Sequence, residues 1–102
     1  MKKKYKLLIN PFAEQDLEQA KEYYDLQQEK LGEEFVKEVK KTVQRIKDNP
    51  EQFPIAKKEI RKALVNRFPY VIFFYVKEWF INVFSVFHTS RDPKIWQERS
   101  KR

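Results

Sequence analysis

The side chains that could do chemistry are few, and they gather in the second half of the chain. His88 is the only histidine, and Arg61, Arg67, Tyr75 and Arg91 stand within thirty residues of it. The set offers an imidazole that can take or give a proton, a phenol that can donate one, and guanidiniums that can stabilise a crowded phosphate. Cleavage of a nucleic-acid strand by a neighbouring hydroxyl needs those parts. Each residue also has a plainer reading. His88 fits a strand-end histidine bonded to the backbone, or a partner contact. Arg67 fits an ion pair with Glu59 or with a carboxylate of the first helix. Arg91-Asp92 fits a local pair and a helix cap. Tyr70 and Tyr75 fit sheet packing, and Tyr23-Tyr24 a core-and-rim position on a helix. Other chemistries find no support. Cysteine is absent, there is one glycine, and no His/Asp set has metal-ligand spacing. No cofactor and no metal is expected.

These residues hang on a long aromatic and β-branched run, Phe68 to His88, interrupted only at Lys77-Glu78. Such residues suit a pleated surface, and the polar break marks a reversal. Two antiparallel strands are predicted, roughly 70–77 and 79–88. Phe80, Phe84 and Val86 fall on one expected face; Ile81, Val83 and Phe87 fall on the other. A strand apolar on both faces is usually covered on both. The helices in view cover one, which leaves the second for a partner or for the chain's own tails.

Upstream, Tyr5 to Ile9 reads as a short strand. Asn10-Pro11 then opens a helix, with Asn as cap and Pro at the first position; Glu14 and Asp16 set negative charge in its first turn. Ala13, Leu17, Ala20 and Tyr24 make its apolar stripe. Gly32 is expected in a left-handed turn ending that helix. A second helix, about 33–48, carries Phe35, Val36, Val39, Val43 and Ile46 and stops at Asn49-Pro50. Residues 51–58 read as a connector and Ile60 to Phe68 as a strand whose charges suit an edge. Asp92-Pro93 opens a short last helix with Ile95 and Trp96. The order β-α-α-β-β-β-α predicts an α+β fold, an antiparallel helical hairpin on a small, mainly antiparallel sheet, as one domain over residues 1–102.

The chain has 102 residues and a formal charge of +7, which favours polyanionic or acidic partners; lysines on solvated helix faces also account for such a surplus. No apolar run approaches the ~20 residues that span a bilayer, and Tyr5 to Ile9 is too short for a signal-peptide core. A cytoplasmic protein without membrane association is expected. The tail Arg99-Ser100-Lys101-Arg102 is expected to fray.

Taken in order, Asn10-Pro11-x-Ala13-x-x-Asp16-Leu17, Tyr23-Tyr24, Asn49-Pro50 with Phe53-Pro54, Arg67-Phe68-Pro69-Tyr70-x-Ile72-x-x-Tyr75 and Val86-x-His88-x-x-Arg91-Asp92-Pro93 form a set. That set resembles the RelE/ParE superfamily of toxins from bacterial type II toxin–antitoxin modules, above all the ParE-like branch often described as plasmid stabilization proteins. The resemblance spans roughly residues 5–99. It implies growth arrest by the free toxin and neutralisation by a cognate antitoxin, acidic and encoded adjacently, laid along an apolar groove. It implies DNA gyrase as the target, met by binding without catalysis. For the RelE-like branch it implies instead ribosome-dependent cleavage of messenger RNA. In that case His88, Arg67, Arg61, Arg91 and Tyr75 are the catalytic candidates. As contacts to target or antitoxin the candidates are Arg61, Arg67, Tyr75, His88, Arg91 and Trp96. A degenerate module that keeps the fold and only binds a partner is the third reading.

Overall fold

The aromatic run forms the middle of a five-stranded sheet. In the computed structural model, which describes residues 4–100, the elements are β1 (Lys6–Ile9), α1 (Pro11–Gln27), α2 (Leu31–Asp48), a 3-10 turn (Pro50–Gln52), β2 (Ile55–Lys57), β3 (Ile60–Leu64), β4 (Tyr70–Lys77), β5 (Phe80–His88) and α3 (Lys94–Arg99). The spatial order is β1-β5-β4-β3-β2. β1 runs parallel to β5 and every other neighbour is antiparallel. The architecture is α+β, with the helical hairpin on one face. Two departures from expectation reshape the sheet edge. The connector at 51–58 contributes β2, which pairs with the otherwise open edge of β3. The third strand stops at Leu64 instead of Phe68, because Arg67 takes a left-handed φ of 72° in the turn to β4.

Asn10 caps α1 as its type requires: its side chain accepts from the Phe12 N–H at 2.8 Å, and Pro11 opens the helix. The helical corner differs from the reading that put Gly32 in a left-handed turn. That conformation belongs to Lys30 (φ 68°), and Gly32 lies in the first turn of α2 with no positive φ. Glycine is needed there for proximity. Its N–H donates to Asp25 Oδ1 at 2.9 Å. A Cβ on Gly32 would collide with that carboxylate and come within 2.5 Å of the Lys21 carbonyl oxygen. The Lys21 ammonium, hydrogen-bonded to Asp25 at 2.8 Å, holds the Asp25 carboxyl below the usual range, and the Gly32 N–H adds to this. Gly32→Ala should therefore destabilise the chain by about 1–3 kcal/mol through overpacking, read as a lower urea midpoint with unchanged slope.

The sheet is covered by α1 and α2 on one face and, in part, by α3 on the other. Against α1 and α2 lie Ala63, Ile72, Phe74, Ile81, Val83 and Val86, packed on Ala13, Ala20, Phe35, Val39 and Ile46. On the opposite face Ile60, Val71, Phe73, Phe84 and Phe87 pack with Trp96 of α3. β4 alternates cleanly between the faces, but β5 does not. Phe73 pairs with Ser85 while Phe74 pairs with Val83, so Phe84 is an extra, bulged residue. The bulge overturns the expected grouping: Val86 shares a face with Ile81 and Val83, and Phe84 with Phe87. Among the described residues no helix is long and apolar enough to cross a membrane.

Candidate functional site

The fold disperses the side chains that the sequence nominated. Arg61 faces the connector, where Nη1 donates to the Phe53 carbonyl at 2.6 Å and to the Glu51 carbonyl at 3.3 Å. Arg67 pairs across the turn with α2, to Glu34 at 3.3 Å and Glu38 at 3.8 Å, so its partners are neither Glu59 nor a carboxylate of α1. Trp96, a nominated contact residue, is buried and stacked on Phe73 with centroids 4.1 Å apart. Asp92 caps α3 through Oδ1, which accepts from the Lys94 N–H at 3.0 Å. Arg91 makes no ion pair with Asp92 or any other of the described residues.

His88 and Arg91 do meet. With Asp16, Gln19 and Tyr23 of α1 and Tyr70 of β4 they line a cleft of about 110 Å³ at the helix-covered face. The His88 ring stands edge-on to Tyr70, centroids 5.1 Å apart. Its Nδ1 accepts from the Ser90 N–H at 3.1 Å and lies 2.7 Å from the Ser90 hydroxyl, so the neutral ring carries its proton on Nε2. Burial pushes the Tyr70 phenol above its ordinary value; Tyr24 and Tyr23 add to the rise, and Arg91 opposes it.

Tyr75 is elsewhere. It packs with the opposite cluster and borders two adjoining hollows on the sheet face that α3 leaves bare. One, of about 510 Å³, is lined by Lys57, Lys58, Glu59, Ile60, Lys77 and Ser100 beside Tyr75. The other, of about 310 Å³, adds Leu8, Glu78, Phe80 and Asn82. Leu8, Phe80 and nearby Trp79 stay exposed, at 48%, 37% and 56%. Together they make an open groove across β1, β5, β4 and β3, apolar along its floor and carrying three lysines against two glutamates. An exposed apolar groove with a charged rim marks an interaction surface.

One constellation escaped the sequence reading. Arg99, placed there in a fraying tail, is held: Nη1 and Nη2 reach Asp16 Oδ2 and Oδ1 at 2.5 and 3.0 Å, and Nη1 also reaches Ser85 Oγ at 3.3 Å. Asp16 in turn accepts from the Val86 N–H at 3.0 Å. The pair thus pins α1, the β5 bulge and α3 together. Its members are 83 residues apart, and no local spacing announces it. Lys101 and Arg102 lie outside the described residues.

Among the described residues no His, Cys, Asp or Glu group could hold a metal ion. The family model described as "ParE toxin of type II toxin-antitoxin system, parDE" matches residues 7–93. A solved structure described as "Chromosomal ParDE TA system from P. aeruginosa" superposes with a TM-score of 0.76 at 18% identity, covering 84% of this chain and 97% of its own. None of the curated proteins matches the chain in sequence.

Proposed function

The chain belongs to the ParE family of toxins from type II toxin–antitoxin systems, and from that premise we propose that it arrests growth when free by binding DNA gyrase in the cytoplasm, and that a cognate antitoxin neutralises it. Action by binding, without catalysis, is supported by one observation: the five catalytic candidates do not share one cleft, and only His88 and Arg91 meet. Tyr75 borders the open sheet face, His88 and Arg91 lie under α1, and Arg61 and Arg67 are committed to backbone carbonyls and to Glu34 and Glu38. A ribonuclease needs its proton acceptor, proton donor and cations around one phosphate.

The test is induced expression followed by two assays on the purified protein. Loss of gyrase supercoiling without cuts on programmed ribosomes is the expected result. Ribosome-dependent messenger cleavage, abolished by His88→Ala or Arg67→Ala, would overturn the proposal in favour of a RelE-like nuclease. Activity in neither assay, with no growth arrest, would leave a partner-binding module.

The groove around Tyr75 is the surface for the antitoxin. An apolar floor favours an amphipathic or extended segment, and the lysines at its rim favour acidic residues in it. Tyr75→Ala should raise the dissociation constant for the antitoxin encoded beside this chain by about tenfold or more, as truncation of a central aromatic anchor does. Calorimetric titration checks this; an affinity within about twofold of wild type would move the contact elsewhere.

A further inference from the structure

The cleft under α1 has a composition that neither sheet packing nor the groove explains. Five of the side chains that line it can donate a hydrogen bond, among them the Arg91 guanidinium, the His88 imidazole through Nε2, the Tyr70 hydroxyl and the Gln19 carboxamide. Tyr23, on the same wall, adds a second phenol. One carboxylate lines the space, and it is already spent. Both oxygens of Asp16 are taken by Arg99, and Oδ2 also receives the Val86 N–H. Arg91 has no ion pair among the described residues, although acidic side chains are plentiful in the chain. The hollow, about 110 Å³, suits a single small group and no more.

We propose that this cleft is an oxyanion-binding site, in which Arg91 supplies the charge-assisted bond and His88 Nε2–H, with Tyr70, completes the donor set around one carboxylate or phosphate group. The supporting geometry is independent of the gyrase reading. Arg91, His88 and Tyr70 line one hollow, and the His88 ring stands edge-on to Tyr70 at 5.1 Å, so these groups face a common space. His88 is oriented by Ser90 from behind, which turns the proton-bearing nitrogen away from its own loop. Guanidinium bonds to carboxylates and phosphates are short and about twice as strong as neutral ones, and planar donors recognise both shapes.

The site is tested on the full chain without its antitoxin. Inorganic phosphate and acetate are titrated separately at constant ionic strength, with the backbone and ring resonances of His88, Ser90 and Arg91 followed by NMR. Saturable shifts centred on those residues are expected, with at least a tenfold weaker dissociation constant in Arg91→Gln and no change in Lys37→Gln, an exposed position on α2. Arg91 is exposed, so its replacement leaves the fold intact; His88→Gln, which keeps a donor, should weaken binding less. Tighter binding of phosphate than acetate would assign the site to a phosphate group, and the reverse to a partner's carboxylate. Shifts that rise linearly, spread over the lysines, or persist in Arg91→Gln would overturn the proposal and leave only the general attraction of a +7 chain for anions.

Discussion

Phe35→Ala should cost about 3–5 kcal/mol of folding stability, the range for deleting a buried ring, against the ~5–15 kcal/mol that a small domain has in total. Phe35 is fully buried in α2. Its ring stands 5.3 Å from Tyr24, 5.2 Å from Phe68 and 4.9 Å from Tyr70, mostly edge-on. Two causes add. The cavity left by the ring has rigid walls, because three of its neighbours are themselves rings held by other elements, and sites that cannot collapse lie at the upper end of the range. The aromatic geometry itself contributes roughly 0.5–1.5 kcal/mol per pair beyond area. A functional effect follows. Tyr70 is held between Phe35 and His88, so loosening it should broaden the cleft resonances of His88 before the chain unfolds. Leu26→Ala is the control: that side chain is 89% exposed, and its loss should stay within about 0.5 kcal/mol. Urea titration of the two variants checks both numbers. A loss below about 1.5 kcal/mol at Phe35 would mean that the cluster repacks and is not the keystone of the hairpin.

Much of this architecture was legible because the local signals are strong and mutually consistent. Asn10-Pro11 starts α1, Asn49-Pro50 stops α2, and the β4–β5 run admits no competing structure. The illegible parts have physical reasons. Gly32 carries two meanings, left-handed turn and close approach, and only the packing of α1 on α2 selects the second. The bulge at Phe84 is silent in a strand whose residues are apolar on both faces, since a one-residue slip changes no pattern there. Trp96 in a short terminal helix looks the same in sequence whether it covers the chain's own sheet or waits for a partner; its stack on Phe73 decides. For the candidate site the reading found members and missed their grouping. His88 and Arg91 are three apart and stay together. Tyr75 and Tyr70 are five apart on one strand, so strand geometry sends them to opposite faces.

Asp16→Ala is expected to be comparably damaging, about 3–5 kcal/mol, because it breaks a mostly buried ion pair by removing one side. Asp16 and Arg99 side chains are 10% and 19% exposed. Without Asp16 the guanidinium keeps the weak contacts to Ser85 and to the Phe84 carbonyl at 3.3 and 3.5 Å and its place over the Phe12 ring, 5.2 Å from the centroid, and the Val86 N–H loses its acceptor. That amide lies beyond the last β1 pairing at Val83, on a stretch of β5 that β1 does not reach, so the carboxylate stands in for a missing strand. The two halves of the loss separate by experiment. Arg99→Ala leaves the Val86 N–H bonded to Asp16 but removes the tie between α3 and α1; Asp16→Ala removes both bonds. Amide exchange at Val86 should therefore accelerate far more in Asp16→Ala than in Arg99→Ala. Stability should fall in each, and less in the double variant than the two losses summed, because members of one network do not add. A cost below about 1 kcal/mol for Asp16→Ala, with Val86 still protected, would show that the bulge holds itself and that the ion pair is an ornament of the surface. The expected outcome makes it instead a long-range tie that, with Trp96 on Phe73, holds the C-terminal helix in place, and hence sets how much of the opposite sheet face stays open around Tyr75.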